Sequence, residues 1–189
     1  MKNKLLIPVV FSLAWIGYKL VTFGLQVLQN PEDLFLSVMI NIFCLLATVT
    51  FSLYFYKKTE DQSGSSALGD MKKGMSAGMI YTLIVGIFIY VYYQKIDPSF
   101  NENRIAIADR EIAKDVSNPI KLKAYKAHNP ELQSKTEDEI VEQLKKGPRM
   151  MFSASFTSTI SFLALTVLTT LNSIIVTAIL RRFIFRTSN

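Results

Sequence analysis

Lys19 is the side chain of this sequence best placed to do chemistry. It falls inside the first long apolar run, residues 5–28. At a helical rise of about 1.5 Å per residue it sits about 13 Å from the outer end at Leu28. A lysine inside a membrane-crossing helix marks a substrate or ion pathway by default. Asn41, in the second apolar run, lies at a similar depth, about 10 Å from its outer end. A contact between Lys19 and Asn41 as an intramembrane polar pair is therefore geometrically reasonable. A proton or ion path normally adds an intramembrane carboxylate, and none falls in the four apolar runs. The competing role for Lys19 is anchoring: its stem extends outward beside Tyr18 and fixes the depth of the helix.

Other reactive residue types are sparse. The single histidine, His128, and the single cysteine, Cys44, lie on different elements and cannot build a zinc site between them. Cys44 reads as a small buried apolar residue. Ser/His/Asp constellations, phosphate-cradling glycine loops and HExxH are all missing from the sequence. The carboxylates Asp109, Glu111, Asp115, Glu137, Asp138, Glu139 and Glu142 alternate with Lys and Arg, the pattern of solvated helix faces. No catalytic, cofactor-binding or metal-binding set is expected, and the chain reads as a non-enzyme. The basic run Lys121, Lys123, Lys126 fits either a lipid-phosphate contact or a solvated face.

The elements that carry these residues are built for lipid. Half of the 189 residues are apolar and 19% are charged, below the roughly 25% of a soluble domain. The apolar residues cluster in four runs, about 5–28, 34–56, 74–93 and 150–180. Each is near or above the ~20 residues that cross a bilayer, and each is apolar nearly all round. An all-α bundle of four transmembrane helices follows, as one membrane domain over 1–189. The basic start of the chain resembles a secretory signal, but the run continues past Lys19 without a small-x-small cleavage site. It is expected to be a retained first span.

Charge placement sets the orientation. Lys2, Lys4, Lys57, Lys58, Lys72, Lys73, Arg181, Arg182 and Arg186 gather on one side against Glu60, Asp61 and Asp70. The other side holds the acidic turn at Glu32 and Asp33 and a balanced loop with 11 basic and 10 acidic residues over 95–149. The positive-inside bias then predicts both termini in the cytoplasm. The net charge of +6 is explained by this asymmetry, so no nucleic-acid partner is expected.

Short connections order the spans. Asn30-Pro31 initiates a tight turn, so the first two spans are antiparallel neighbours. Residues 59–70, TEDQSGSSALGD, read as a flexible polar loop. Gly74 and Gly78 have the spacing that lets helices approach closely. Thr166, Thr170, Ser173 and Thr177 share a face of the last span, a second helix-packing seam.

The insert at 97–149 reads in three parts. Ile105, Ala108, Ile112 and Val116 recur at helical spacing and predict an amphipathic helix over 101–116. SNPIKLKAYKAHNP is expected to be irregular or a short helical turn. Thr136 with Glu139 is a capping box, and Gly147-Pro148 is expected to stop that helix. The narrow apolar stripes must be buried on each other, on the outer ends of the spans, or in the headgroup layer. So short a segment is expected to lean on the bundle and to lack a strong core of its own.

The full pattern resembles the domain of unknown function 4199 family of bacterial membrane proteins, common in Bacteroidota. The resemblance rests on the four spans, on GMIYTLIVGIFIYVYY, on KTEDEIVEQLKKG and on SIIVTAILRRF. It implies an integral inner-membrane protein with no assigned activity and no functional residues to carry over. The expectation is a structural or accessory subunit in contact with the lipid bilayer, whose periplasmic loop meets a partner membrane protein, a second copy or the membrane surface. The alternative is a small oligomeric transporter or channel working around Lys19.

Overall fold

The computed structural model describes residues 5–27, 34–59 and 66–184, with Ile184 by its backbone alone. Lys2, Lys4, the turn at Asn30 to Asp33, Glu60, Asp61 and Arg186 lie outside the described residues. Within them all regular structure is helical: α1 Leu6–Gly24, α2 Leu34–Thr59, α3 Ala67–Val91, α4 Pro98–Val116, α5 Pro119–His128, α6 Glu137–Met151 and α7 Ala154–Ile179. Single π-helical turns continue α3 over Tyr92–Ile96 and α7 over Leu180–Ile184. The chain divides into two compact units, Met1–Ile89 with Ser158–Asn189, and Tyr90–Thr157.

The first unit holds the bulk of the four helices that are long and apolar enough to cross a bilayer: Leu6–Gly24, Leu34–Thr59, Ala67–Ile96 and Ala154–Phe183. The protein is a multi-pass membrane protein, and its residue distribution suits lipid. The large side chains of Val21, Phe35, Phe43, Ile87 and Val167 face outward, while Ser12, Ser37, Thr48, Ser52, Thr82, Thr169 and Ser173 are buried. In a bilayer no hydrophobic force separates one apolar surface from another. Close packing of small residues decides what goes inside. Three of these buried hydroxyls bond along their own helices: Ser12 donates to the Pro8 carbonyl, Thr48 to that of Cys44 and Ser173 to that of Thr169, each at 2.7 Å.

Helix α1 lies on α2 through the stacked rings of Phe11 and Phe51, centroids 5.8 Å apart. The Trp15 indole N–H donates to the Ser37 carbonyl at 3.3 Å, and the Trp15 ring meets Phe88 of α3 edge-on. Val49 and Leu53 of α2 form an apolar cluster with Val176 and Leu180.

Helices α3 and α7 pack closely at the two glycines. A Cβ on Gly74 would stand 2.9 Å from Leu53 Cδ1 and 3.2 Å from Ser173 Oγ. One on Gly78 would overlap the Thr169 methyl. The glycines thus pack α3 against both α2 and α7. The Thr82 and Thr169 hydroxyls bond across the seam at 3.3 Å. On α7 the buried hydroxyl residues are Thr169, Ser173 and Thr177. Thr166 and Thr170 are half-buried and bond back to the Phe162 and Thr166 carbonyls.

One boundary differs from expectation in a way that matters. Helix α3 starts at Ala67, not at Gly74. Ser66 is the reason: its hydroxyl accepts the Gly69 N–H at 3.0 Å, the bond of an N-cap. The charged stretch around Asp70, Lys72 and Lys73 is therefore helical, and only the earlier part of 59–70 remains a linker candidate.

The second unit has a small core of its own. Val116, Leu132 and Ile140 are almost fully buried, with Ile112, Leu122, Tyr125, Val141 and Leu144 packed around them. The amphipathic stripes are buried on one another. Residues 119–128, expected to be irregular or a short turn, form the helix α5. The Asn118 side chain caps it, accepting from the Ile120 and Lys121 N–H groups, with Pro119 in its first turn. The Thr136–Glu139 capping box forms as expected. Gly147-Pro148 does not stop α6, which runs on to Met151. Proline forfeits the bond to the carbonyl four residues back and its ring crowds that carbonyl, yet the Phe152 N–H still reaches the Pro148 carbonyl at 2.8 Å. Arg149 ties this last turn to Asp109 of α4 at 3.0 Å. Its guanidinium pKa is raised by that hydrogen bond. Arg104 of α4 lies 4.2 Å from the Phe152 ring centroid, a cation–π contact.

Candidate functional site

A buried carboxylate shared by two cations lies where α2 and α7 end and α3 begins. Each of the three charges is matched to its helix end. Lys57 is in the last turn of α2 and Arg181 in the π-helical turn after α7, where the negative end of the helix dipole favours cations. Asp70 is in the first turn of α3, where that dipole favours an anion.

Tertiary packing brings the three together. Asp70 is 2% exposed, and one carboxylate oxygen, Oδ2, takes both cations: Lys57 Nζ at 2.8 Å and Arg181 at 2.9 Å. The Lys57 side chain is 10% exposed and that of Arg181 39%, so the pair with Lys57 is the desolvated one. Gly74, one turn along α3, allows the approach, since any side chain there would meet both Leu53 and Ser173. One carboxylate thus fastens three helices. Beside it Lys73 lies 5.6 Å from the ring centroid of Tyr56.

Asp70 changes one expectation. The stretch before Gly74 reads as a polar loop, yet Asp70 is buried in the first turn of the helix that carries the third span. Its charge and its neighbours in DMKKG mimic a loop, and its partners are distant in sequence. The usable local signal was Ser66 followed by an apolar helical pattern, which places the N-cap before Asp70.

The sequence candidates are placed as follows. Asn41 is buried on α2, where its side-chain oxygen accepts the Tyr81 hydroxyl of α3 at 2.6 Å. Its backbone carbonyl accepts the same hydroxyl at 3.1 Å. Tyr81 is fully buried and is the partner that sequence reasoning missed. Lys19 is half-buried on α1, with its carbonyl accepting from the Thr22 hydroxyl at 3.0 Å. Cys44 is free and buried. His128 caps its own helix end, its Nδ1 lying 2.9 Å from the Ala124 carbonyl. A solvent-open pocket of about 450 Å³ beside it is lined by Asp115, Lys121 and Tyr125, but the Lys121–Asp115 ion pair at 2.5 Å engages both charges. Lys121 has a raised pKa, chiefly from that hydrogen bond.

The model of a family described as "Protein of unknown function (DUF4199)" matches residues 7–182, nearly the whole chain. No curated protein and no solved structure matches it.

Proposed function

We propose that this chain, which belongs to the DUF4199 family, is a non-enzymatic structural or accessory subunit of the bacterial inner membrane. Both termini lie in the cytoplasm, and the helical unit Tyr90–Thr157 is presented outside as a contact module for a partner protein or the membrane surface. The observation that carries this reading is the core of that unit. Val116, Leu132 and Ile140 are buried together, the α6 start is doubly capped and Arg149 clamps α6 to α4. A segment folded so definitely has a fixed surface to present, as a contact module needs.

The bundle supports the same reading. Its buried polar groups serve packing: Asn41 holds Tyr81, hydroxyls donate to carbonyls four residues back on their own helices, and Asp70 joins three helices. The test is replacement of 97–149 by a short flexible linker, followed by quantitative copurification in mild detergent. Loss of specific membrane partners is expected, and retention of every partner sinks the reading. A transport function around Lys19 rests on the half-buried position of that lysine. Lys19→Leu tests it: a more stable protein in unaffected cells ends that alternative.

A further inference from the structure

We propose that the bundle end built around Asp70 is a binding site for the headgroup phosphate of an anionic phospholipid. Among the described residues this end carries Lys57, Lys58, Lys72, Lys73, Arg181 and Arg182, against the single carboxylate Asp70. Asp70 takes Lys57 and Arg181 on one oxygen. The excess charge faces outward: Lys58, Lys72 and Arg182 are exposed, and Arg181 keeps 39% of its side chain at the surface while holding Asp70. Arginine next to lysine is the donor set that grips a phosphate, the guanidinium through paired N–H groups and the ammonium as a point charge.

The occupant is an amphiphile because apolar surface adjoins the cations. Phe183, 72% exposed, follows Arg182, and Phe55 and Ile179 are exposed within a turn of Lys58 and Arg182. A free phosphate has no use for such surface, whereas a phospholipid lays acyl chain along it and places its phosphate among the cations. Asp70 makes the site more than a scatter of basic residues, since it holds Lys57 of α2 and Arg181 beyond α7 at one point. An anionic headgroup is favoured over a zwitterionic one because the net local charge is positive.

The test uses the full chain, delipidated in neutral detergent, with lipid added back and bound lipid counted by native mass spectrometry. Phosphatidylglycerol, phosphatidylcholine and inorganic phosphate are compared. Phosphatidylglycerol is expected to be retained at least about tenfold better than phosphatidylcholine, with about fivefold lost for each surface cation removed. Lys58→Gln with Arg182→Gln should therefore lower phosphatidylglycerol affinity roughly 25-fold and leave phosphatidylcholine unchanged. Lys58→Arg with Arg182→Lys should retain it, which separates lost charge from lost fold. Equal retention of the two lipids, a double glutamine variant that keeps its preference, or inorganic phosphate binding as well as phosphatidylglycerol would each overturn the proposal.

Discussion

Replacing Asp70 by Asn removes one charge and almost no volume from the point where α2, α3 and α7 meet. At 2.8 Å from Lys57 and an effective dielectric of about 20, the gross attraction lost is about 6 kcal/mol. Much of that offsets the cost of desolvating the two groups, and the net penalty for orphaning a buried charge is about 3–5 kcal/mol. The lower end applies here. Arg181, 39% exposed, can turn to the headgroups, while Lys57, 10% exposed, has little freedom to follow. Asp70→Asn should therefore cost about 3 kcal/mol, Lys57→Gln less, and Arg181→Gln least. The assay is reversible unfolding in mixed micelles, followed by the emission of Trp15, the single tryptophan. Adding Lys57→Met to Asp70→Asn should recover part of the loss, because it removes the buried charge that the single variant orphans. A loss below about 1 kcal/mol for Asp70→Asn, the range of an exposed pair, would refute the fastening role. So would a double variant no more stable than the single one.

Three further outcomes follow from the packing. Gly78→Val should destabilise the bundle by about 1–3 kcal/mol through overpacking against the Thr169 methyl, and Thr169→Ala should relieve part of it in the same unfolding assay. Ile140→Ala, at a fully buried position, should cost the second unit about 2–5 kcal/mol, read as faster proteolysis within 97–149 while the spans stay protected. The Glu139 carboxyl is held below its ordinary 4.5 by the Thr136 backbone N–H, then by the Thr136 hydroxyl. Its folded pKa is lowered, so its contribution is present above 4.5 and is lost as pH falls from there through the folded value. Hydrogen exchange at the start of α6, corrected for intrinsic rates, should show protection falling below pH 4.5 in the parent and a flatter profile in Glu139→Gln.

What was legible in the sequence was what depends on near neighbours. Long apolar runs gave the four spans because bilayer thickness demands length and apolarity from contiguous residues. Thr136 and Glu139 gave the α6 start because a capping box closes within three residues. The failures share a cause. Asp70 looked like loop because charge was read locally, while the cations that permit its burial lie on α2 and α7. Gly147-Pro148 looked like a stop because the clamp from Asp109 to Arg149 crosses forty positions. The Tyr81 partner of Asn41 was not legible either, because depth alone does not say which of several neighbouring helices supplies a donor. Tyr81 supplies it from α3.

The same contrast bears on what selection can act on. The apolar exterior tolerates exchange of one large aliphatic side chain for another, since lipid is an undemanding partner. The points that admit almost no exchange are few and coupled along α3. Asp70 needs the approach that Gly74 permits, Gly74 and Gly78 need the small groups of Ser173 and Thr169, and Tyr81 needs the Asn41 oxygen. These residues recur at spacings of three and four along one helix, so they form a single face on which α2 and α7 are both assembled. A change at either end of that face should be felt at the other through the seam. Double variants of Asp70→Asn with Gly78→Ala should then lose more stability than the sum of the singles, by at least about 0.5 kcal/mol, the level at which neighbouring sites are coupled. Strict additivity would mean that the ionic fastening and the glycine seam are independent devices and that α3 is not the helix on which the bundle is organised.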